Sequence, residues 1–388
     1  MAALLGHFNR QSTSALLIRG YATIIMVTGV DYLTGPDLSF FIFYFFPIIV
    51  VSWYLGRRQG IAMAFAAAFA TTIHDLFAMD SFSVTALHDV LRYWAFFQRS
   101  GVFLVVSVIV AALRSFDNEK REAEHKLAGE VQSFLFPQSS PSMDHFTCFG
   151  ASRSFDHLSG DFFDLVRVGR HKLAIVVGDI CGKGVSAALL MAYVQGVLRS
   201  HILLDGQSLG NLIRTVNRSL HLSTADDKFA TLFIGVYDDE SQELTYVNAG
   251  HDAPIVLRWN DPPRGTGWPL ARQLRSAAES PLPENGVPTI IKLKAGGLLL
   301  GVDPAAEYVV DVQTLHSGDI LVCDTDGVKE ARNELGEMYG LERLAHVVSE
   351  HRERPSRRIY SQVLDDIERF VGTEPQFDDM TLVIGKVV

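Results

Sequence analysis

The uneven distribution of hydrophobic residues is the sequence feature that most constrains the fold. Four apolar segments occupy the N-terminal third of the 388-residue chain: Ala15–Leu33, Phe40–Leu55, Gly60–Ala78 and Trp94–Leu113. Each approaches the ~20 residues that a helix needs to cross the hydrocarbon core of a bilayer, although the second is short. Buried helices of a soluble domain are the alternative. Four such segments in succession, with almost no charged residues between their ends, favour an all-α transmembrane domain over residues 1–113.

Lysine and arginine positions indicate how this domain is oriented, because positive residues accumulate in cytoplasmic connections. Positive charges lie near the start of the first segment, between the second and third, and after the fourth, at Arg10, Arg19, Arg57, Arg58, Arg114, Lys120 and Arg121. We therefore expect a multi-pass protein of the inner or plasma membrane with both termini in the cytoplasm. Arg99 enters the fourth segment from the outer side, and we expect it either to snorkel or to face the bundle interior.

The membrane segment offers few specific signals of function. The run FYFFPIIVVSWYLGRRQGIAMAF resembles the small four-helix membrane modules that head some bacterial signalling proteins, which makes a sensor domain the expectation. Two His-Asp pairs, His74-Asp75 and His88-Asp89, could bind a ligand or a metal. We interpret them instead as polar residues at the membrane boundary.

A polar, helical connector is predicted over residues 114–136. Apolar and small residues recur there at alternating three- and four-residue steps, including Leu113, Phe116, Ala123, Leu127 and Phe134. This spacing amounts to about three heptads with an imperfect seam, which is compatible with a parallel dimeric coiled coil. A single amphipathic helix packed on the following domain is the alternative. Pro137 is expected to end the helix.

The remainder, residues 137–388, reads as a soluble α+β domain. Nine short β patterns alternate with turns and four helical segments, Ser186–Leu204, Ser208–Leu222, Gly340–Glu350 and Ser356–Val371. Such an arrangement favours an antiparallel sandwich over a doubly wound parallel sheet. GxGxxG, GxxxxGK[ST] and GxSxG motifs are absent from the sequence, which argues against dinucleotide, P-loop and α/β-hydrolase functions. The net charge of −10 argues against nucleic-acid binding, and three widely spaced cysteines fit a reducing cytosol.

Four aspartates occupy the ends of predicted strands. Asp161 opens the strand FFDLVRV, and Asp179 closes the next strand, so the two carboxylates should lie at the same end of an antiparallel hairpin. Asp326 ends the strand DILVCDTDG, directly before Gly327, and Asp378 precedes the last strand of the chain. A hairpin with two solvated aspartates is the alternative for the first pair. Oxygen-only ligands select hard ions, so the set favours Mg²⁺ or Mn²⁺ over Zn²⁺ and suits phosphoester hydrolysis.

Four motifs in order give the domain a family resemblance. GDICGKG, YVNAGH, DTDGVKEARN and FDDMTLVI resemble the successive motifs of the PPM (metal-dependent) protein serine/threonine phosphatases, in their bacterial SpoIIE-like and RsbU-like branch. The leading EVQSFLFPQSSP resembles the entry to that branch, so the similarity covers about residues 130–388. It implies a β-sandwich flanked by helices, an αββα arrangement, and hydrolysis of phosphoserine or phosphothreonine by water that two Mn²⁺ or Mg²⁺ ions activate.

The resemblance also assigns roles to individual residues. Asp179 corresponds to the aspartate that bridges both ions, and the complete ligand set that it implies is Asp161, Asp179, the carbonyl oxygen of Ile180, Asp326 and Asp378. A phosphorylated regulatory protein, such as an anti-sigma-factor antagonist, is the implied substrate. We therefore expect a membrane-anchored phosphatase, dimeric through its connector and regulated by its membrane domain. A catalytically silent receptor or scaffold with the same fold is the alternative.

Some positions depart from the pattern of this branch or keep an open role. Ser159-Gly160 stands where the branch has two glycines, and Asp379 aligns with a less critical position. Asp324 could add negative charge near the ions, but we interpret it as a solvated edge residue. His251 could be catalytic, but we interpret it as a residue that stabilises a turn. The Pro/Gly-rich segment Arg258–Lys294 is predicted to be a surface insertion.

Overall fold

The chain forms two compact units. The computed structural model describes residues 12–34, 40–78, 86–137, 139–141, 143–155, 158–203, 208–225, 227–259 and 288–388. Its contacts divide the chain into Met1–Ala123 and Glu124–Val388. Most of the predicted insertion Arg258–Lys294 lies outside the described residues. The side chains of the two His-Asp pairs, His74-Asp75 and His88-Asp89, lie outside them as well.

The N-terminal unit is helical, and each predicted apolar segment lies in a helix. The helices are α1 (Thr13–Thr34), α2 (Phe45–Leu55) after a 3₁₀ turn at Phe41–Tyr44, α3 (Arg57–Ala78) and α4 (Ala86–Ser133). By length and composition, two stretches of the described residues could cross a membrane, Thr13–Thr34 and Phe96–Ser133. Core helices of soluble proteins and signal sequences pass the same test, so it supports membrane association only weakly.

Small and polar residues bring the helices of this unit close together. The Ser52 and Ser107 hydroxyls are hydrogen-bonded at 3.0 Å. A Cβ added at Gly60 would lie 2.2 Å from Ser52 Oγ, so glycine is required for this approach. The Arg99 guanidinium donates to the Thr71 carbonyl at 3.3 Å. Arg99 therefore contacts a neighbouring helix, which agrees with the interpretation that it faces the interior of the bundle.

The C-terminal unit contains two β-sheets. The first has the strand order β1-β11-β10-β6-β7, where β1 is Phe146–Arg153, β6 Ile255–Arg258, β7 Thr289–Lys292, β10 Ile320–Asp324 and β11 Met380–Val387. The second has the order β2-β3-β4-β5-β8, where β2 is Asp161–Val168, β3 Lys172–Ile180, β4 Ala230–Asp238, β5 Glu243–Ala249 and β8 Gly296–Gly297. Strand β9 (Asp311–Thr314) also pairs with β5. Among the described pairs β5–β8 is parallel and the others are antiparallel.

The sheets pack face to face, and helices cover both outer faces. Apolar side chains such as Phe146, Phe163, Val177, Phe233 and Val383 fill the space between the sheets. Helices α5 (Val185–Ile202) and α6 (Leu209–Ser223) cover the sheet that contains β2–β5. Helices α8 (Gly340–Glu350) and α9 (Ser356–Val371), which follow the short helix α7 (Asp326–Lys329), cover the other sheet. This is the αββα sandwich that the sequence predicts.

The differences from the sequence prediction are confined to short elements. All nine predicted strands and four predicted helices of this unit are present. Strands β8 and β9 and helix α7 have two to four residues each, too few to produce a periodic hydrophobic pattern.

Candidate active site

The end of the β2–β3 hairpin carries the first two predicted ligands. Asp161 and Asp179 are direct partners in the antiparallel register, because Asp161 begins β2 and Asp179 is the penultimate residue of β3. Asp161 is buried, and its Oδ2 accepts a hydrogen bond from the Thr325 hydroxyl. The predicted meeting of two carboxylates at one end of a hairpin is therefore present.

A close backbone approach brings the other two aspartates together. Asp326 begins α7, and Asp378 lies just before β11. Gly327, which follows Asp326, packs so tightly on the Asp379 main chain that an added Cβ would lie 1.9 Å from the Asp379 carbonyl oxygen. Asp326 and Asp378 consequently line the same small depression, together with Glu330 and Phe377.

Mutual repulsion shows that these carboxylates form one electrostatic group. Burial, followed by the charges of Asp326, Asp378 and Asp379, raises the pKa of Asp179 to about 7. Burial and the charge of Asp179 raise the pKa of Asp161 well above its usual range. Burial and the charge of Asp378 raise the pKa of Asp326. Such like-charge crowding disfavours ionisation, and a bound cation would relieve it.

Asp379 has a structural role that the sequence reasoning underestimated. Its Oδ1 accepts from the Phe155 N–H at 2.7 Å, and its Oδ2 accepts from the Gly160 N–H at 2.9 Å. The Ser159 hydroxyl also lies 3.0 Å from Asp379 Oδ2. Asp379 thereby ties the loop in front of Asp161 to the start of β11. The sequence places Asp379 directly after the predicted ligand Asp378. Sequence spacing alone does not show which hydrogen-bond donors a carboxylate contacts.

Glycine at position 160 is required by the backbone that carries the Ile180 carbonyl. A Cβ at Gly160 would lie 3.0 Å from the Ile180 oxygen and 3.4 Å from the Gly182 oxygen. Ser159 at the preceding position is buried and hydrogen-bonded, so the serine variant of the usual double glycine is accommodated. The Ile180 carbonyl therefore lies in a cradle that a larger residue would fill.

Lys183 is a functional candidate that sequence reasoning missed. It lies between Gly182 (φ 101°) and Gly184 (φ 78°) in the turn after β3, and its Nζ is 2.8 Å from Asp378 Oδ1. The ammonium also lies over the rings of Phe155 and Phe377, 5.1 and 5.7 Å from their centroids. Phe377 is 67% exposed, so the turn places a cation at the open edge of the carboxylate group.

A second polar network consists of Asp324, Lys329 and Asp252. Asp324 is fully buried, so the interpretation of a solvated edge aspartate is wrong. Lys329 compensates its charge, with Nζ 3.3 Å from Asp324 Oδ2 and 2.8 Å from Asp252 Oδ2. His251 Nδ1 and the Thr231 hydroxyl are 2.8 Å apart, and burial lowers the pKa of His251 to about 4. A neutral, buried imidazole agrees with the predicted turn-stabilising role.

The donors fit a hard divalent cation in chemistry, although their side chains are engaged with protein partners. Carboxylates and a main-chain carbonyl are the ligands that Mg²⁺ and Mn²⁺ prefer. Among the described residues, no group of three acidic, histidine or cysteine side chains is arranged to hold one metal ion. Asp161 Oδ2 accepts a hydrogen bond from the Thr325 hydroxyl, and Asp378 Oδ1 pairs with the Lys183 ammonium. The assignment of all five ligands stays a prediction.

Comparisons with known proteins agree with this architecture. The family described as Stage II sporulation protein E (SpoIIE) matches residues 169–271 and 281–388, which is more than half of the chain. Protein IcfG of Synechocystis sp. is 25% identical over 287 residues, which cover 66% of this chain and 40% of IcfG. Phosphoserine phosphatase RsbU of Bacillus subtilis is 25% identical over 274 residues, which cover 70% of this chain and 72% of RsbU. Thus the chain spans less than half of IcfG and nearly three quarters of RsbU.

A solved structure shows the same fold. The SiaA-PP2C domain of Pseudomonas aeruginosa superimposes with a TM-score of 0.55 at 18% identity and covers 70% of this chain and 99% of that domain. The C-terminal unit therefore has the PP2C fold. By the family match, the chain belongs to the SpoIIE family.

Proposed function

We propose that this protein is a membrane-anchored phosphatase that hydrolyses phosphoserine or phosphothreonine in a regulatory protein. The observation that carries the proposal is the placement of the four aspartates, because Asp161 pairs with Asp179 in the hairpin register and Asp326 and Asp378 line one depression. These residues come from three separate parts of the domain, so their proximity is a property of the fold.

Each residue of the proposed site has its own role in metal binding or in positioning the ligands. Two Mn²⁺ or Mg²⁺ ions would be held by Asp161, Asp179, Asp326, Asp378 and the Ile180 carbonyl. When bound, two such ions lower the pKa of a water molecule and so supply the nucleophile. Thr325 fixes the Asp161 carboxylate, and Gly327 allows Asp326 to approach Asp378. Lys183 supplies positive charge where a phosphate group would enter.

The exposed apolar surface of the N-terminal helices supports attachment to a membrane, and we propose the four predicted segments as the spans. Only 22% of the apolar stretch in α1 and 11% of that in α4 is buried, unlike a core helix of a soluble protein. Large side chains such as Ile25, Ile42, Phe69 and Phe97 are exposed. A bilayer would cover this surface. Recovery of the full chain in the soluble fraction without detergent would contradict the anchoring.

The relatives support the proposed substrate class, and the connector supports the proposed assembly. RsbU is a phosphoserine phosphatase, which supports a phosphorylated regulatory protein as the substrate class. Phe116, Leu127 and Val131 on the connector are each at least 60% exposed, at spacings typical of a coiled-coil seam. We therefore propose a homodimer through this helix. A monomeric mass for the full chain in detergent micelles, measured by light scattering, would contradict it.

Dephosphorylation of a phosphoserine protein by the full-length chain in detergent tests the proposed activity. Phosphate release should require Mn²⁺ or Mg²⁺ and be lost in Asp179→Asn. The matched control is Asp365→Asn, which makes the same change at an exposed residue of α9 and should retain activity. Equal activity in the two variants, or none with any divalent metal, would leave the silent receptor or scaffold as the better description.

A further inference from the structure

The last turn of the connector helix is hydrogen-bonded to the loop in front of Asp161. Gln132 lies in this turn of α4 and is 5% exposed. Its Nε2 donates to the Ser159 carbonyl at 2.7 Å, and its Oε1 accepts from the Ser159 N–H at 3.0 Å. A side-chain amide carries one acceptor and a donor group, so Gln132 satisfies both main-chain groups of a single buried residue.

Ser159 in turn has direct contacts with the candidate metal site. Its hydroxyl lies 3.0 Å from the Asp161 carbonyl oxygen and 3.0 Å from Asp379 Oδ2. Gly160, the next residue, donates to the same Asp379 oxygen, and its carbonyl accepts from the Ile180 N–H at 3.3 Å. The main chain that Gln132 holds is therefore the main chain that sets where Asp161 and the Ile180 carbonyl lie.

The residues after Gln132 are attached to helix α5, which follows the Asp179 turn. The Leu135 carbonyl accepts from Gln195 Nε2 and from Arg199 Nη2, each at 2.9 Å. Arg199 also forms an ion pair with the buried Asp164 of β2. Segment 132–135 is thus held by the loop before β2 and by helix α5.

We propose that Gln132 is a positioning residue that makes the geometry of the metal site depend on the end of the connector helix. A displacement of the last turn of α4 would break two buried hydrogen bonds at Ser159 or move Ser159, and Asp161 with it. The inference rests on the proposed function, because it concerns the regulation of the same site. Outer partners that orient metal ligands typically affect metal affinity by 10- to 100-fold.

Gln132→Met in the full-length protein in detergent is the direct test. Methionine has a similar length but cannot form either hydrogen bond. Calorimetric titration with Mn²⁺ should show an affinity about tenfold weaker than wild type. Hydrogen exchange at the Ser159 and Gly160 amides should accelerate. In phosphatase assays at limiting Mn²⁺, kcat should fall with little change in KM, because the substrate contacts are retained.

Two further variants separate positioning from general stability. Gln132→Glu keeps the acceptor for the Ser159 N–H but loses the donor, and it should also weaken Mn²⁺ binding. Glu130→Gln changes an exposed residue of the same turn and should match wild type in all three measurements. If both Gln132 variants melt at lower temperature yet bind Mn²⁺ with wild-type affinity, Gln132 is a structural residue only and the inference is overturned.

Failure of the proposed function would give a different pattern. A wild-type protein that binds Mn²⁺ but releases no phosphate from any phosphoprotein would contradict the phosphatase proposal. The Mn²⁺ titrations of the Gln132 variants would still decide whether this residue positions the site.

Discussion

Replacement of Gly327 by alanine is the perturbation whose effect the structure defines most sharply. The added Cβ would lie 1.9 Å from the Asp379 carbonyl oxygen and 2.9 Å from its carbonyl carbon. Ordinary van der Waals contact begins at 3.4 Å, so the two backbone segments must separate by 1.5 Å, the difference of the two distances. Both segments are main chain, and neither can yield by rotating a side chain.

This separation should damage the site more than the fold. Overpacking of this kind typically costs about 1–3 kcal/mol of stability. In a domain of this size that corresponds to a decrease in Tm of roughly 2–12 °C. Because Asp326 would move away from Asp378, a displacement on the order of 1 Å should lower kcat by about 100-fold and weaken Mn²⁺ binding.

Thermal unfolding, Mn²⁺ titration and phosphatase assays on the full-length protein check this prediction. Gly196→Ala is the matched control, because no atom lies within 4 Å of a Cβ at that exposed position in α5. The control should retain wild-type affinity and rate. Wild-type Mn²⁺ affinity and activity in Gly327→Ala would refute the idea that this contact brings Asp326 to Asp378.

Three further predictions concern stability. Asp379→Ala should lower the free energy of unfolding by about 3 kcal/mol in urea titrations, because two main-chain N–H groups and the Ser159 hydroxyl lose a charged acceptor; an unchanged midpoint would contradict this role. The pKa of His251 is lowered from 6.5 to about 4, so its contribution to stability is complete above pH 6.5 and is lost as pH falls towards 4. That loss amounts to about 3 kcal/mol, and His251→Gln should show correspondingly less acid destabilisation than wild type. Mn²⁺ at 100 times its Kd should raise the free energy of unfolding by about 2.7 kcal/mol, and Asp179→Asn should abolish this increase in thermal melts.

The strands and the pairing of the hairpin could be predicted because their signals are local. β2 and β3 are short, mainly apolar segments joined by a short turn, so the opposition of Asp161 and Asp179 follows from antiparallel geometry. The alternating strand and helix patterns predict an α+β sandwich, and the family resemblance implies its αββα order. Family resemblance then supplied the link from this hairpin to Asp326 and Asp378.

The contacts that hold the site together could not be predicted because they join distant parts of the sequence. The Gln132–Ser159 pair and the three donors to Asp379 depend on how loops pack, which periodicity does not encode. Asp324 was misjudged for a related reason. A charged residue on a strand suggests an exposed edge, but Lys329 compensates its charge in the interior. Lys183 was not identified as a functional candidate from the sequence, because a lysine in a glycine-rich turn usually lies in a solvated loop.

Anomalous diffraction at the manganese edge, from crystals of the full-length protein grown with Mn²⁺, tests the central claim most directly. The account predicts two anomalous peaks among Asp161, Asp179, Asp326 and Asp378, with Asp179 contacting both and the Ile180 carbonyl contacting at least one. The Lys183 ammonium should then have left Asp378. No peak at these carboxylates, or manganese bound elsewhere in the domain, would contradict the account.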